Sequence, residues 1–150
     1  MIHASGIDDH GIGRIFSGFS GVGKSTLATI WNKQGSQIIN DDRLILRVME
    51  NGEVTMYNTP MPYSDSYKAT SLNYIYLPYH SKENSFEALS GAQRLAKTLA
   101  FCIQHGYNEK AILHHIHVME RIINICPVAS LGVYPELIAS SFSDLNDFFC

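Results

Sequence analysis

The chain has 150 residues, 45% of them hydrophobic, and its 11 basic and 14 acidic side chains give a formal charge of −3. That length suits one domain with a real core, and the mild acidity, with no basic run interleaved with aromatics, excludes recruitment of nucleic acid by a global positive field. Three cysteines (Cys102, Cys126 and Cys150) without CxxC spacing argue for a reducing compartment over a disulfide framework or zinc site, and no signal peptide or 18-residue apolar run is present, so the expectation is a soluble, cytoplasmic protein with no membrane partner.

Ile2-His3-Ala4-Ser5-Gly6 reads as a strand, and Asp8-Asp9-His10-Gly11 as the hairpin turn into a second strand, Gly13–Ser17. Residues 18–25 then read Gly-Phe-Ser-Gly-Val-Gly-Lys-Ser, a full match to the phosphate-loop pattern G-x-x-x-x-G-K-[ST]. The pattern carries a mechanism. Its glycines let the backbone turn with N–H groups inward, making a nest for phosphate oxygens. Lys24 reaches the β- and γ-phosphates, and the Ser25 hydroxyl is a ligand for the Mg²⁺ that bridges them. Thr26–Gln34 reads as a helix with Gly35 at C′, and its positive dipole end faces the same anion. Strand, glycine loop and helix follow in the order the motif requires. The expected nucleotide-binding set is Gly18, Ser20, Gly21, Val22, Gly23, Lys24, Ser25 and Thr26, with ATP and Mg²⁺ as cofactors.

Ser36–Asn40 is a short apolar strand that ends in Asp41-Asp42. Leu44–Met49 and Val54–Asn58 flank Glu50-Asn51-Gly52-Glu53, whose Asn-Gly pair is a hairpin signal. Thr59–Asp65 is a loop by its prolines, and Leu72–Leu77 is a strand rich in aromatic and branched residues. One helix opens at Ser90-Gly91-Ala92-Gln93 and runs to about Gln104; Asn108 caps another to about Ile125. Val128–Val133 reads as a last strand, followed by a short helix from about Pro135. The sum is one α/β domain over residues 1–150, with a mixed, strand-rich sheet in the first half and helices in the second.

Asp41 and Asp42 follow a strand 17 residues beyond Lys24. Phosphoryl transfer to a hydroxyl needs one carboxylate near the metal and one to accept the proton of the attacking group, and acids at the carboxyl end of a strand face the crevice where ligands bind. Arg43 beside them is either a charge-neutralising group or their surface partner. The His114-His115-x-His117 cluster lies on a helix whose buried stripe is Ile112, Ile116, Met119 and Ile123, which leaves His114, His117, Arg121 and Asn124 on the polar side. Tyr63, Tyr67, Tyr74, Tyr76 and Tyr79 read as core and strand packing.

Taken together, Ile2-His3-Ala4-Ser5, the Gly13–Ser25 strand and loop, Gly35 and Ile38-Ile39-Asn40-Asp41-Asp42 resemble the catalytic domain of the HPr kinase/phosphorylase family. The specific part of the resemblance covers about residues 2–43. It implies a P-loop fold related to that of phosphoenolpyruvate carboxykinase, Asp41 as the general base that takes a seryl proton, Asp42 and His3 beside it, and Asp42 with Ser25 at the metal. Adjacent residues at a strand end point to opposite sides, so which aspartate is base and which faces metal stays open. The resemblance also implies ring-like homo-oligomeric assembly and a domain without the family's N-terminal regulatory part. The family's Glu-x-x-Gly-type segment has no counterpart here, since Glu50 and Glu53 fall in the predicted hairpin turn.

The implied activity is ATP- and Mg²⁺-dependent transfer of phosphate to a serine-type hydroxyl of a protein or small molecule. The alternative is a nucleotide-binding regulatory module without catalysis. A small-molecule P-loop kinase with an arginine lid ranks third, because Arg94 and Arg121 are the only arginines after Arg47. The acceptor-recognition candidates are the loops Thr59–Ser71 and Tyr79–Ser85.

Overall fold

The computed structural model describes residues 1–60, 66–103 and 108–134. The predicted short helix from Pro135, the chain end and the Pro-rich segment 61–65 lie outside these. The described elements run β1 (Ile2–Asp9), β2 (Ile12–Ser17), α1 (Lys24–Lys33), β3 (Gln37–Asn40), β4 (Arg43–Val48), β5 (Val54–Asn58), β6 (Ala69–His80), β7 (Ser85–Ala88), α2 (Gly91–Leu99), α3 (Glu109–Ile125) and β8 (Val128–Val133). The α/β class and the mixed sheet agree with the sequence reading.

The strand pairing is less open than a layered α/β sheet. β1 pairs β2 and β4, β4 pairs β5, β5 pairs β6, and β6 returns to pair β2 in parallel, so five strands close on themselves. β3 adds to β1, β8 adds in parallel to β6, and β7 forms the antiparallel edge beyond β8. Closure depends on two long strands that each serve two neighbourhoods. β1 meets β4 at Ile2 and His3 and meets β2 from Ala4 onward. β6 meets β5 through Ala69–Ser71 and β2 through Leu72–Tyr76. At the β2–β6 corner a Cβ on Gly13 would lie 1.8 Å from the Ser71 carbonyl oxygen. Only glycine allows the two backbones to approach this closely.

Alternation along the strands builds two cores. Ile2, Ala4, Ile15, Ile75 and Leu77 pack with Met119, Ile122 and Ile123 of α3 on one side. Ile7, Phe16 and Tyr76 pack with Leu27, Ala28 and Trp31 of α1 on the other, joined by Ala129, Leu131 and Val133 of β8. The first turn is tight: Asp9 faces Ile12, and His10 and Gly11 take positive φ of 52° and 91°, which fits a two-residue hairpin loop.

On α3 the expected polar side holds, with His114, His117, Arg121 and Asn124 all exposed. Its burial centres on Met119, Ile122 and Ile123, while Ile112 and Ile116 are half-buried. Of the tyrosines expected to pack, Tyr76 is buried but Tyr67, Tyr74 and Tyr79 are exposed. α2 stops at Leu99, short of the expected Gln104, and β7 was not foreseen. No described helix is long and apolar enough to cross a membrane.

Candidate functional site

The phosphate loop joins β2 to α1. Gly21 and Gly23 hold φ of 81° and 100°, and Gly23 is the left-handed N-cap of α1. A Cβ would strain either position. Because the cap is a glycine and the first turn carries no acid, no side chain competes for the free N–H groups at the helix start, which leaves them to an anion. Lys24 is buried, at 6% exposure, and its Nζ donates to the carbonyls of Gly18 at 2.9 Å and Phe19 at 2.8 Å. Burial pulls the Lys24 pKa below its ordinary value, and the charges of Asp41 and then Asp42 oppose that fall. The ammonium therefore lies within the field of both carboxylates. Ser20, Ser25 and Thr26 are exposed, and Val22 N–H donates to the Phe19 carbonyl at 3.4 Å.

β1 connects this loop to the acid pair. Period-two alternation puts His3 and Ser5 on the same side of β1. Ser17, the last residue of β2, donates its hydroxyl to the His3 carbonyl at 2.9 Å. The fully buried Ser5 donates its hydroxyl to Asp41 Oδ1 at 2.5 Å. His3 Nε2 lies 3.7 Å from Asp42 Oδ1, and Arg43 Nε lies 3.1 Å from Asp42 Oδ2. The two aspartates thus diverge, one toward a hydroxyl and one toward two basic side chains.

The turn that carries them is locked from below. Asn40 Nδ2 donates to the Arg43 carbonyl at 2.7 Å and to Thr59 Oγ1 at 2.8 Å, while its Oδ1 accepts from Asp41 N–H at 2.9 Å. Ala4 N–H donates to the Asp42 carbonyl at 3.1 Å, which ties the turn to β1.

The structure therefore brings His3, Lys24, Asp41 and Asp42 to one end of adjacent strands. It places His3 beside Asp42 and gives Asp41 a different neighbour, Ser5. Ser5 was missed because a serine inside an apolar strand carries no spacing signal. His80 was missed too: at the end of β6 its Nε2 lies 3.2 Å from the Gly21 carbonyl, a contact across 59 residues of sequence. Among the described residues no group of three or more His, Cys, Asp or Glu side chains is placed to hold a metal by itself. The Ser25 hydroxyl and the Asp42 carboxylate are nevertheless hard oxygen donors of the kind Mg²⁺ takes when phosphates complete its shell.

No protein-family model matches the chain, and no curated protein matches it in sequence. Among solved structures the chain is similar to the Hpr(Ser) kinase/phosphatase from Coxiella burnetii, at 12% identity and a TM-score of 0.49, over 96% of this chain and 94% of that one.

Proposed function

We propose that the protein is an ATP- and Mg²⁺-dependent phosphotransferase that moves the γ-phosphoryl group to a serine-type hydroxyl, on a P-loop domain of the phosphoenolpyruvate carboxykinase-like kind. The observation that carries this reading is the buried Lys24 amine, wrapped in a full phosphate loop and within the field of Asp41 and Asp42. A structural lysine would not need a glycine nest at a helix start, and a surface acid pair would not need a buried serine and an asparagine lock.

In this reading the loop amides and Lys24 hold the β- and γ-phosphates. Mg²⁺, held by Ser25 and Asp42, would neutralise charge on the phosphates. Asp41 accepts the proton of the attacking hydroxyl as its oxygen forms the new bond to the γ-phosphorus and the bond to the β,γ-bridging oxygen breaks, releasing ADP. Ser5 orients the Asp41 carboxylate through its one hydrogen bond, leaving the second carboxylate oxygen for the acceptor. Asp42, between His3 and Arg43, carries the metal role.

The test is phosphate transfer from labelled ATP to a library of seryl peptides and small hydroxyl compounds. Asp41→Asn abolishes transfer and retains ATP binding if Asp41 is the base. A wild-type chain that binds ATP but labels nothing, with Asp41→Asn indistinguishable from it, favours the regulatory-module alternative.

A further inference from the structure

Beside the loop, on the α2 side of the sheet, lies a cavity of about 430 Å³ walled by Phe19, Leu77, Pro78, Ala100 and Phe101. This volume falls in the range of small-ligand sites. Phe19, the second residue of the phosphate loop, is 74% exposed, and its ring meets Phe101 edge-on with centroids 5.1 Å apart. Such a ring at the surface of a glycine loop contributes nothing to phosphate binding. It does offer an apolar wall next to the phosphates.

We propose that this cavity receives an aromatic or branched aliphatic group that the phosphate acceptor carries next to its reacting hydroxyl. The inference rests on the kinase reading and names the acceptor class for that same site. Two observations place the acceptor here rather than the nucleobase. Lys24, which meets the β- and γ-phosphates, is anchored on the carbonyls of Gly18 and Phe19, so the transferring end of the nucleotide lies toward the Phe19 end of the loop. The Phe101 carbonyl accepts from His3 N–H at 2.9 Å, and the ring of that same histidine faces Asp42. His3 therefore links the two, bonded to the cavity wall through its backbone and facing the acid pair with its ring.

The polar lining fits a neutral guest. Lys97 and Glu87 contribute one charge of each sign, and Lys97 Nζ donates to Ser130 Oγ at 3.3 Å. Recognition then depends on apolar contact rather than on net charge.

The experiment is an NMR titration of the whole chain, following the backbone amides of Leu77, Ala100, Phe101 and Ser130. The probes are N-acetyl-phenylalanyl-serine amide, N-acetyl-glycyl-serine amide, 2-phenylethanol and adenosine, each with and without Mg²⁺ and a non-hydrolysable ATP analogue. The phenylalanyl peptide is expected to bind about tenfold or more tightly than the glycyl peptide, with its shifts at those amides. Ala100→Trp, which fills the cavity, is expected to erase that preference and leave the affinity for the ATP analogue unchanged; Ala100→Leu gives the same reading with a smaller perturbation. Binding of 2-phenylethanol at the same amides with equal affinity assigns the group to a small-molecule acceptor, and its failure to match the peptide assigns it to a peptide. Equal or unmeasurable binding of the two peptides, a preference that survives Ala100→Trp, or adenosine shifting the same amides overturns the proposal. Failure of the ATP analogue to bind overturns the kinase reading instead, because the peptide preference is read without nucleotide as well.

Discussion

Asn40 is where the fold and the site meet, and replacing it by alanine tests both. Its amide makes three hydrogen bonds, to the Arg43 carbonyl, Thr59 Oγ1 and Asp41 N–H. A net contribution of about 1 kcal/mol each, less some rescue of the half-exposed groups by water, puts the loss at about 2–3 kcal/mol. In a domain of this size 1 kcal/mol shifts Tm by about 2–4 °C, so Asn40→Ala is expected to lower Tm by about 4–12 °C. The assay is thermal unfolding followed by circular dichroism, with urea unfolding as a check that the m-value is unchanged. Thr59→Val removes two bonds of the same lock, to Asn40 and to the Arg43 carbonyl, so the double mutant should cost less than the sum of the singles by at least about 0.5 kcal/mol. A Tm drop below about 2 °C, or strict additivity with Thr59→Val, refutes the argument that Asn40 holds the acid turn.

Three further outcomes follow from the structure. Gly13→Ala drives a Cβ to 1.8 Å from the Ser71 carbonyl oxygen; because both partners are backbone, the five-strand closure must open, and urea unfolding should show a loss of about 3 kcal/mol or more. Trp31→Ala empties a side chain that is 1% exposed and packs 5.4 Å from the Phe16 ring, for a cost of about 3–5 kcal/mol in the same measurement. Burial pushes Cys126 and Tyr76 up to about 12 and Cys102 up to about 11, from ordinary values of 9.0 for the thiols and 10.0 for the phenol. Each folded-state pKa lies above its unfolded value, so the stability is fully present below about pH 9 and is lost as pH rises toward 11–12. Tm measured across this window should fall steadily, and Cys126→Ala should flatten the fall; a flat wild-type profile contradicts the assignment.

The elements easiest to read from the sequence were those with local punctuation. The hairpin β1–β2, the loop, α1 with Gly35 behind it, and the Asn108 cap of α3 each announce themselves by glycine, turn or cap chemistry within a few residues. The Asn108 side chain does accept from Ala111 N–H at 3.2 Å. The aromatic and branched residues of Leu72–Leu77 mark only the middle of β6; the strand runs for twelve residues, with Asn73 serving the corner, where Gly13 N–H donates to its Oδ1 at 2.8 Å, and Pro78 facing Gly18. β7, Ser-Phe-Glu-Ala, alternates over only four residues and leaves Phe86 and Ala88 exposed, so its pairing with β8 rather than a buried face makes it a strand. The closure of five strands rests on contacts such as Gly13 against Ser71, which no local pattern encodes. In the site, Lys24 and the acid pair were legible because their chemistry is tied to a motif and a strand end. Ser5 and His80 were not, since each gains its partner only through the packing of β1 and β6 against distant segments, and Asn40 was not, since its lock joins the local Asp41 and Arg43 to the distant Thr59.

The most direct test of the central claim is calorimetric titration of ATP, with and without Mg²⁺, into the wild-type chain and Lys24→Ala. The account predicts Mg²⁺-dependent binding to the wild type and its loss in a Lys24→Ala protein that remains folded by circular dichroism. Absence of binding by the folded wild-type chain, or equal binding by Lys24→Ala, would contradict it.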